Sequence, residues 1–144
     1  MDRKLRLTVT ETIDAPAARV WKALTDVETI KEFMWGTNAK SDFKKGSALT
    51  FEGVWEGKPY HEKGTILEIE KEKLMKYTYL SAGLEDKPEN YAVITYELSA
   101  NNNKTRMTVT QEGARDEKAL EHSREGWKSI LGNLKKVVEK KIPA

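Results

Sequence analysis

The apolar positions change period twice along the chain, and the two changes divide it into three parts. Near the N-terminus, Leu5, Leu7, Val9 and Ile13 fall two or four residues apart, always with the same parity. That period predicts a half-buried strand over residues 3–13. Asp14-Ala-Pro16 follows, an acidic cap with proline in the first turn, and predicts a short helix with Val20, Trp21 and Leu24 as its apolar stripe. Thr25-Asp-Val-Glu28 has the spacing of a capping box. It predicts a second short helix that buries Ile30, Phe33 and Met34 and ends at Gly36-Thr-Asn38.

The middle of the chain returns to period two. Leu49, Phe51, Gly53 and Trp55 alternate, Glu56-Gly57-Lys58-Pro59 turns, and Thr65, Leu67 and Ile69 alternate again. Met75, Tyr77 and Tyr79 follow, then Ile94, Tyr96 and Leu98, then the Asn101-Asn-Asn103 turn with Met107 and Val109 beyond it. Six strands are expected in all, five of them consecutive and joined by short turns, which is an antiparallel meander. From Asp116 the period is helical. Ala119, Leu120, Ser123, Trp127, Ile130, Leu131, Leu134 and Val138 share one stripe, acidic residues open the helix, and Lys135, Lys136, Lys140 and Lys141 close it. That basic run complements the helix dipole and needs no phosphate or lipid to explain it.

A meander with one apolar face and one long amphipathic helix is solved by wrapping the sheet around the helix. This is an α+β architecture, with the two short helices filling the gap after the first strand, and residues 1–144 are expected to form one domain. A strongly curved sheet cannot lie flush on a straight helix along its whole length. A mostly apolar space is therefore expected between them, open near the short helices, which is the usual form of a small-molecule site. Its expected lining is Phe33 and Trp35 at the end of the second helix, Phe51, Trp55 and Tyr79 on the concave face, and Trp127 and Leu131 on the long helix. By strand parity, Glu11, His61 and Gln111 are the candidate polar groups, able to orient a ligand or to do acid–base work. Gly126 and Gly132 interrupt the long helix, where each glycine costs about 1 kcal/mol relative to alanine. The expectation is close packing at Gly126, where a side chain would clash, and close packing or a slight bend at Gly132.

Composition narrows the chemistry. With 25 basic against 23 acidic residues the formal charge is +2, too balanced to imply a nucleic-acid partner. No apolar run approaches the length of about 18 residues needed to span a bilayer, so membrane insertion is not expected, and a cytoplasmic location is. The absence of cysteine excludes disulfides, thiol nucleophiles and thiolate metal sites. With two histidines, His61 and His122, and no H-E-x-x-H, no metal site is expected. There is no phosphate loop and no G-x-S-x-G, so neither a cofactor nor a catalytic residue is assigned.

Three stretches carry a resemblance: Ala15-Pro16 with Val20-Trp21 and Leu24-Thr25-Asp26, then Gly64 with Glu68-Ile69, then Gly126-Trp127 with Leu131 and Leu134. In this order, over nearly the whole chain, the sequence resembles the family of activators of the ninety-kilodalton heat-shock-protein ATPase. That family lies in the START-like, or SRPBCC, helix-grip superfamily, which also holds the birch-pollen allergen. The matching residues are packing and turn positions, so the resemblance speaks for fold before function. It differs where the family often has a double glycine before the second strand, since Phe43-Lys-Lys-Gly46-Ser47 holds one glycine. The fold it implies is a six-stranded helix grip. The functions it implies are non-covalent binding of a hydrophobic small molecule, or a co-chaperone-like, stress-related module that contacts a chaperone. Other branches of the superfamily supply cyclase, aromatase or hydrolase enzymes as a third reading.

Overall fold

Alternation of apolar and polar residues makes each strand two-faced, and here one continuous antiparallel sheet collects all the apolar faces. The computed structural model describes residues 2–140, with side chains from Leu5 onward; Lys141, expected in the last turn of the long helix, lies outside the described residues. The strands are β1 (Asp2–Ile13), β2 (Asn38–Ser41), β3 (Ala48–Trp55), β4 (Lys58–Glu70), β5 (Leu74–Tyr79), β6 (Ala92–Asn101) and β7 (Lys104–Ala114). They pair in the order β1-β7-β6-β5-β4-β3-β2. The helices are α1 (Ala17–Leu24), α2 (Val27–Phe33) and α3 (Glu117–Lys140). Over the described residues the chain is thus an α+β helix grip with seven strands where the periodicity predicts six. The additional strand, β2, has four residues of which only Ala39 is buried, too little for an alternating pattern to show.

The helix boundaries differ from the expected caps. Pro16, not Asp14, precedes the first turn of α1. Thr25 closes α1 instead of opening α2, its hydroxyl donating to the Trp21 carbonyl at 2.9 Å. Asp26 holds the start of α2, accepting a bond from the Thr29 hydroxyl at 2.6 Å. Asp116 caps α3, accepting the Ala119 amide at 2.8 Å.

The core lies between the sheet and α3. Leu131, Leu134 and Val138, in the C-terminal half of α3, are at most 2% exposed. The same half is fastened to the end of β1 by polar contacts. Lys135 Nζ donates to the Thr12 carbonyl at 2.9 Å and to Glu139 Oε2 at 2.6 Å, and Glu139 accepts the Asp14 amide at 3.1 Å. Thr105, fully buried on β7, donates its hydroxyl to the Ala15 carbonyl at 2.8 Å and locks the turn between β1 and α1.

β4 corrects the expected parity. A register irregularity between Ile66 and Glu68 brings both Ile66, which is fully buried, and Ile69 to the inner side, and leaves Leu67 exposed. Before the irregularity the inward set is therefore Tyr60, Glu62, Gly64 and Ile66. Gly64 is required where β4 runs against the end of β5, because a Cβ there would stand 1.6 Å from the Thr78 carbonyl oxygen. Gly64→Ala should therefore force the two strands apart and destabilise the fold by at least about 2 kcal/mol, measured by urea unfolding. Stability equal to that of the parent protein would contradict this placement.

Candidate functional site

Towards the N-terminal half of α3 the helix and the sheet part company, leaving a cavity of about 620 Å³. Its wall on α3 is formed by His122, Ser123, Gly126, Trp127 and Ile130. The sheet contributes Phe51, Glu62, Tyr77, Tyr79 and, from β7, Gln111. The mouth lies between the end of α2 and the β3–β4 hairpin, where Met34, Trp35, Val54, Trp55 and Tyr60 face each other. Trp35, Val54 and Trp55 are 58%, 68% and 64% exposed, so the entrance has an apolar rim.

Local structure explains the rim. Trp35 and Gly36 both adopt left-handed backbone (φ +50° and +85°), which ends α2 abruptly and turns the indole out at the mouth. Glu56 and Gly57, also at positive φ, make a two-residue hairpin that closes the Trp55–Lys58 pair. Tyr60 lies over Gly53, where a Cβ would stand 2.5 Å from the phenolic oxygen, and its hydroxyl is hydrogen-bonded to that of Thr37. This contact ties the hairpin to the segment after α2 and holds the two lips together.

The inner wall is aromatic and its polar atoms are paired. Phe51 meets Tyr79 edge-on at 6.2 Å, Tyr77 meets Tyr96 at 5.4 Å, and Tyr96 meets Trp127 at 5.9 Å. The Trp127 indole N–H donates to Gln111 Oε1 at 2.8 Å, and Gln111 Nε2 donates to the Gly113 carbonyl at 3.2 Å and to Ser123 Oγ at 3.3 Å. The Tyr77 and Tyr96 hydroxyls share a bond of 2.7 Å. Burial, followed by the charge of and hydrogen bond to Glu62, pushes the Tyr79 phenol far above its ordinary range. Burial likewise pushes Tyr77 well up, and Tyr96 up to about 12.

Of the residues expected to line the cavity, the structure brings together Trp35, Phe51, Trp55, Tyr79 and Trp127, with Gln111 beside them. Phe33 and Leu131, each 1% exposed, belong to the closed core instead. Glu11 keeps the expected parity on β1 but lies outside the cavity, its Oε1 accepting the Thr12 amide at 3.2 Å. His61 faces solvent beside Glu52 at 3.4 Å, because the change of phase in β4 puts Glu62 inside in its place. Glu62 was within reach of the sequence: Tyr60, Glu62, Gly64 and Ile66 alternate as regularly as Thr65, Leu67 and Ile69 do. Gly126 and Gly132 are also corrected. A Cβ at either would meet nothing within 4 Å, so neither permits a close approach; Gly126 instead leaves space in the cavity.

A sheet closed around a C-terminal helix, with an aromatic cavity between them, defines a helix-grip domain of the START-like class. The chain belongs to the family described as Activator of Hsp90 ATPase homolog 1-like protein, whose family model matches residues 14–139. The solution structure of ChR145 from Cytophaga hutchinsonii is similar at 40% identity over 100% of both chains, with a TM-score of 0.83. Two crystal structures share the fold at lower identity. CV1439 from Chromobacterium violaceum is 22% identical over 94% of this chain and 98% of its own, with a TM-score of 0.81. MLL2253 from Mesorhizobium loti is 23% identical over 96% and 99%, with a TM-score of 0.78. Among proteins of curated function no match was found.

The buried phenols set an alkaline limit. Tyr77 and Tyr96 have folded pKa values above the unfolded value of about 10. The stability they contribute is fully present below that pH and is lost as pH rises from about 10 towards the folded values. Absorbance at about 295 nm should show them still protonated at pH about 11, ionising only as circular dichroism reports unfolding. Complete tyrosine ionisation with an intact fold at that pH would contradict their burial.

Proposed function

We propose that the domain binds a hydrophobic small molecule, without covalent chemistry, in the space between α3 and the sheet. The observation that supports this reading is the cavity itself. At about 620 Å³ it has the size of ordinary ligand pockets, and its aromatic walls and few polar groups match their composition. Affinity would come from apolar burial, at roughly 25 cal/mol per Å² removed from water. The polar pairs on the wall favour binding over catalysis. Gln111 is engaged by Trp127, Ser123 and the backbone, and His61 and Glu11 lie outside the cavity.

Thermal melts against a library of hydrophobic compounds test the reading. A true ligand at a hundredfold excess over its Kd stabilises by about 2.7 kcal/mol, a rise in Tm of roughly 5–10 °C for a chain of this size. Absence of stabilisation across aromatic, sterol-like and aliphatic compounds would refute it. Gly126→Leu locates the site. Because a side chain there enters open space and improves helix propensity, the variant should fold with a Tm equal to or a few degrees above the parent, yet lose the ligand-induced shift. Undiminished binding in that variant would place the ligand elsewhere.

A further inference from the structure

The side chains that line the cavity include one carboxylate, Glu62, and no lysine or arginine. His122 on α3, exposed at its surface, also borders the cavity. Glu62 projects inward from β4 opposite Phe51, its register partner on β3. Its Oε2 accepts the Ala82 amide at 3.2 Å. Tyr79 and Ser81 border the cavity beside it. The Ala82 bond holds the carboxylate against one wall. A carboxylate only accepts hydrogen bonds, at about four lone-pair positions, so one protein donor leaves acceptor capacity for a ligand donor on the cavity side.

The surroundings of that acceptor discriminate by charge. Ring faces of the kind that Phe51, Trp55 and Tyr79 bring to the cavity are negative at their centres and attract cations. An anionic headgroup brought into this space would lose its water next to a like charge, with no fixed cation on the wall to receive it. A hydroxyl or an ammonium would instead find a charged acceptor, and bonds of that type are roughly twice as strong as neutral ones.

We propose that the occupant of the cavity is an apolar ring system bearing a hydrogen-bond-donating group, a hydroxyl or a protonated amine, and that Glu62 selects it over carboxylate amphiphiles such as fatty-acid anions. The proposal rests on the cavity-binding reading above and adds the chemistry of the ligand's polar end.

A matched series separates the two ideas. Naphthalene, naphthalenemethanol, naphthylmethylamine and naphthoate share a ring and differ at one substituent. Their binding to the intact protein can be followed by calorimetry or tryptophan fluorescence. The alcohol and the amine should each bind at least about tenfold more tightly than naphthoate. In Glu62→Gln, which keeps the shape and removes the charge, the amine-to-naphthoate ratio should fall to within about threefold while naphthalene binding stays unchanged. Naphthoate binding as tightly as the amine to the parent protein would overturn the proposal while leaving the cavity reading intact. So would a ratio that survives in the variant. If neither naphthalene nor any derivative binds, the proposal is overturned, while the cavity reading stands or falls on the wider library. The ratio in the parent protein decides the matter even if Glu62→Gln does not fold.

Discussion

A straight helix cannot remain in contact with a sheet that curls through seven strands, and the rest of this structure follows from where the contact is kept and where it is given up. It is kept in the C-terminal half of α3. There Leu131, Leu134 and Val138 are sealed into the core and the Lys135–Glu139 pair reaches the end of β1. It is given up in the N-terminal half, opposite β3, β4 and β5. In that half the helix is steered instead by the Asp116 cap and by the bond from Trp127 to Gln111. The cavity is the space this compromise leaves. A buried indole N–H without an acceptor would cost about 1–3 kcal/mol, so Gln111 is best understood as a fixed point of the fold that happens to border the cavity.

The same geometry explains the two kinds of glycine. At Gly64 two strands approach so closely that a Cβ would meet a carbonyl oxygen at 1.6 Å, whereas at Gly126 it would meet nothing within 4 Å. One glycine lets backbones touch; the other keeps a volume empty. An empty apolar volume forfeits dispersion contacts, and a glycine in mid-helix adds about 1 kcal/mol of lost propensity. Both are given up at the same place, and this supports the proposal that the space receives a ligand.

Much of the fold was legible in the sequence because β1, β3, β5 and the long helix keep one period without interruption. Leu7 and Ile13, Leu49 and Phe51, Met75 and Tyr77, and Leu131 and Leu134 are all buried as their spacing requires. The failures are equally specific. β2 has one buried residue and so no pattern. In β4, Ile66, Leu67 and Ile69 admit two phases, and only pairing with β5 across an irregularity decides between them; the choice exchanges His61 for Glu62. A helical glycine reads the same whether it faces a neighbour or a void, so Gly126 was misjudged. Phe33 and Leu131 fit an apolar lining by composition but sit one layer too deep, a distinction that depends on depth and not on pattern.

The proposed function turns on whether the gap between α3 and β3–β5 is open and receives apolar molecules. Isotope-filtered NOE spectroscopy with a bound apolar probe tests it most directly. Intermolecular NOEs are expected from the probe to the Ile130 and Met34 methyls and to the rings of Phe51 and Trp127, with none to Leu134 or Val138. Direct NOEs between Ile130 and Tyr79 across a closed gap, or probe contacts confined to the outer face of the sheet, would contradict it.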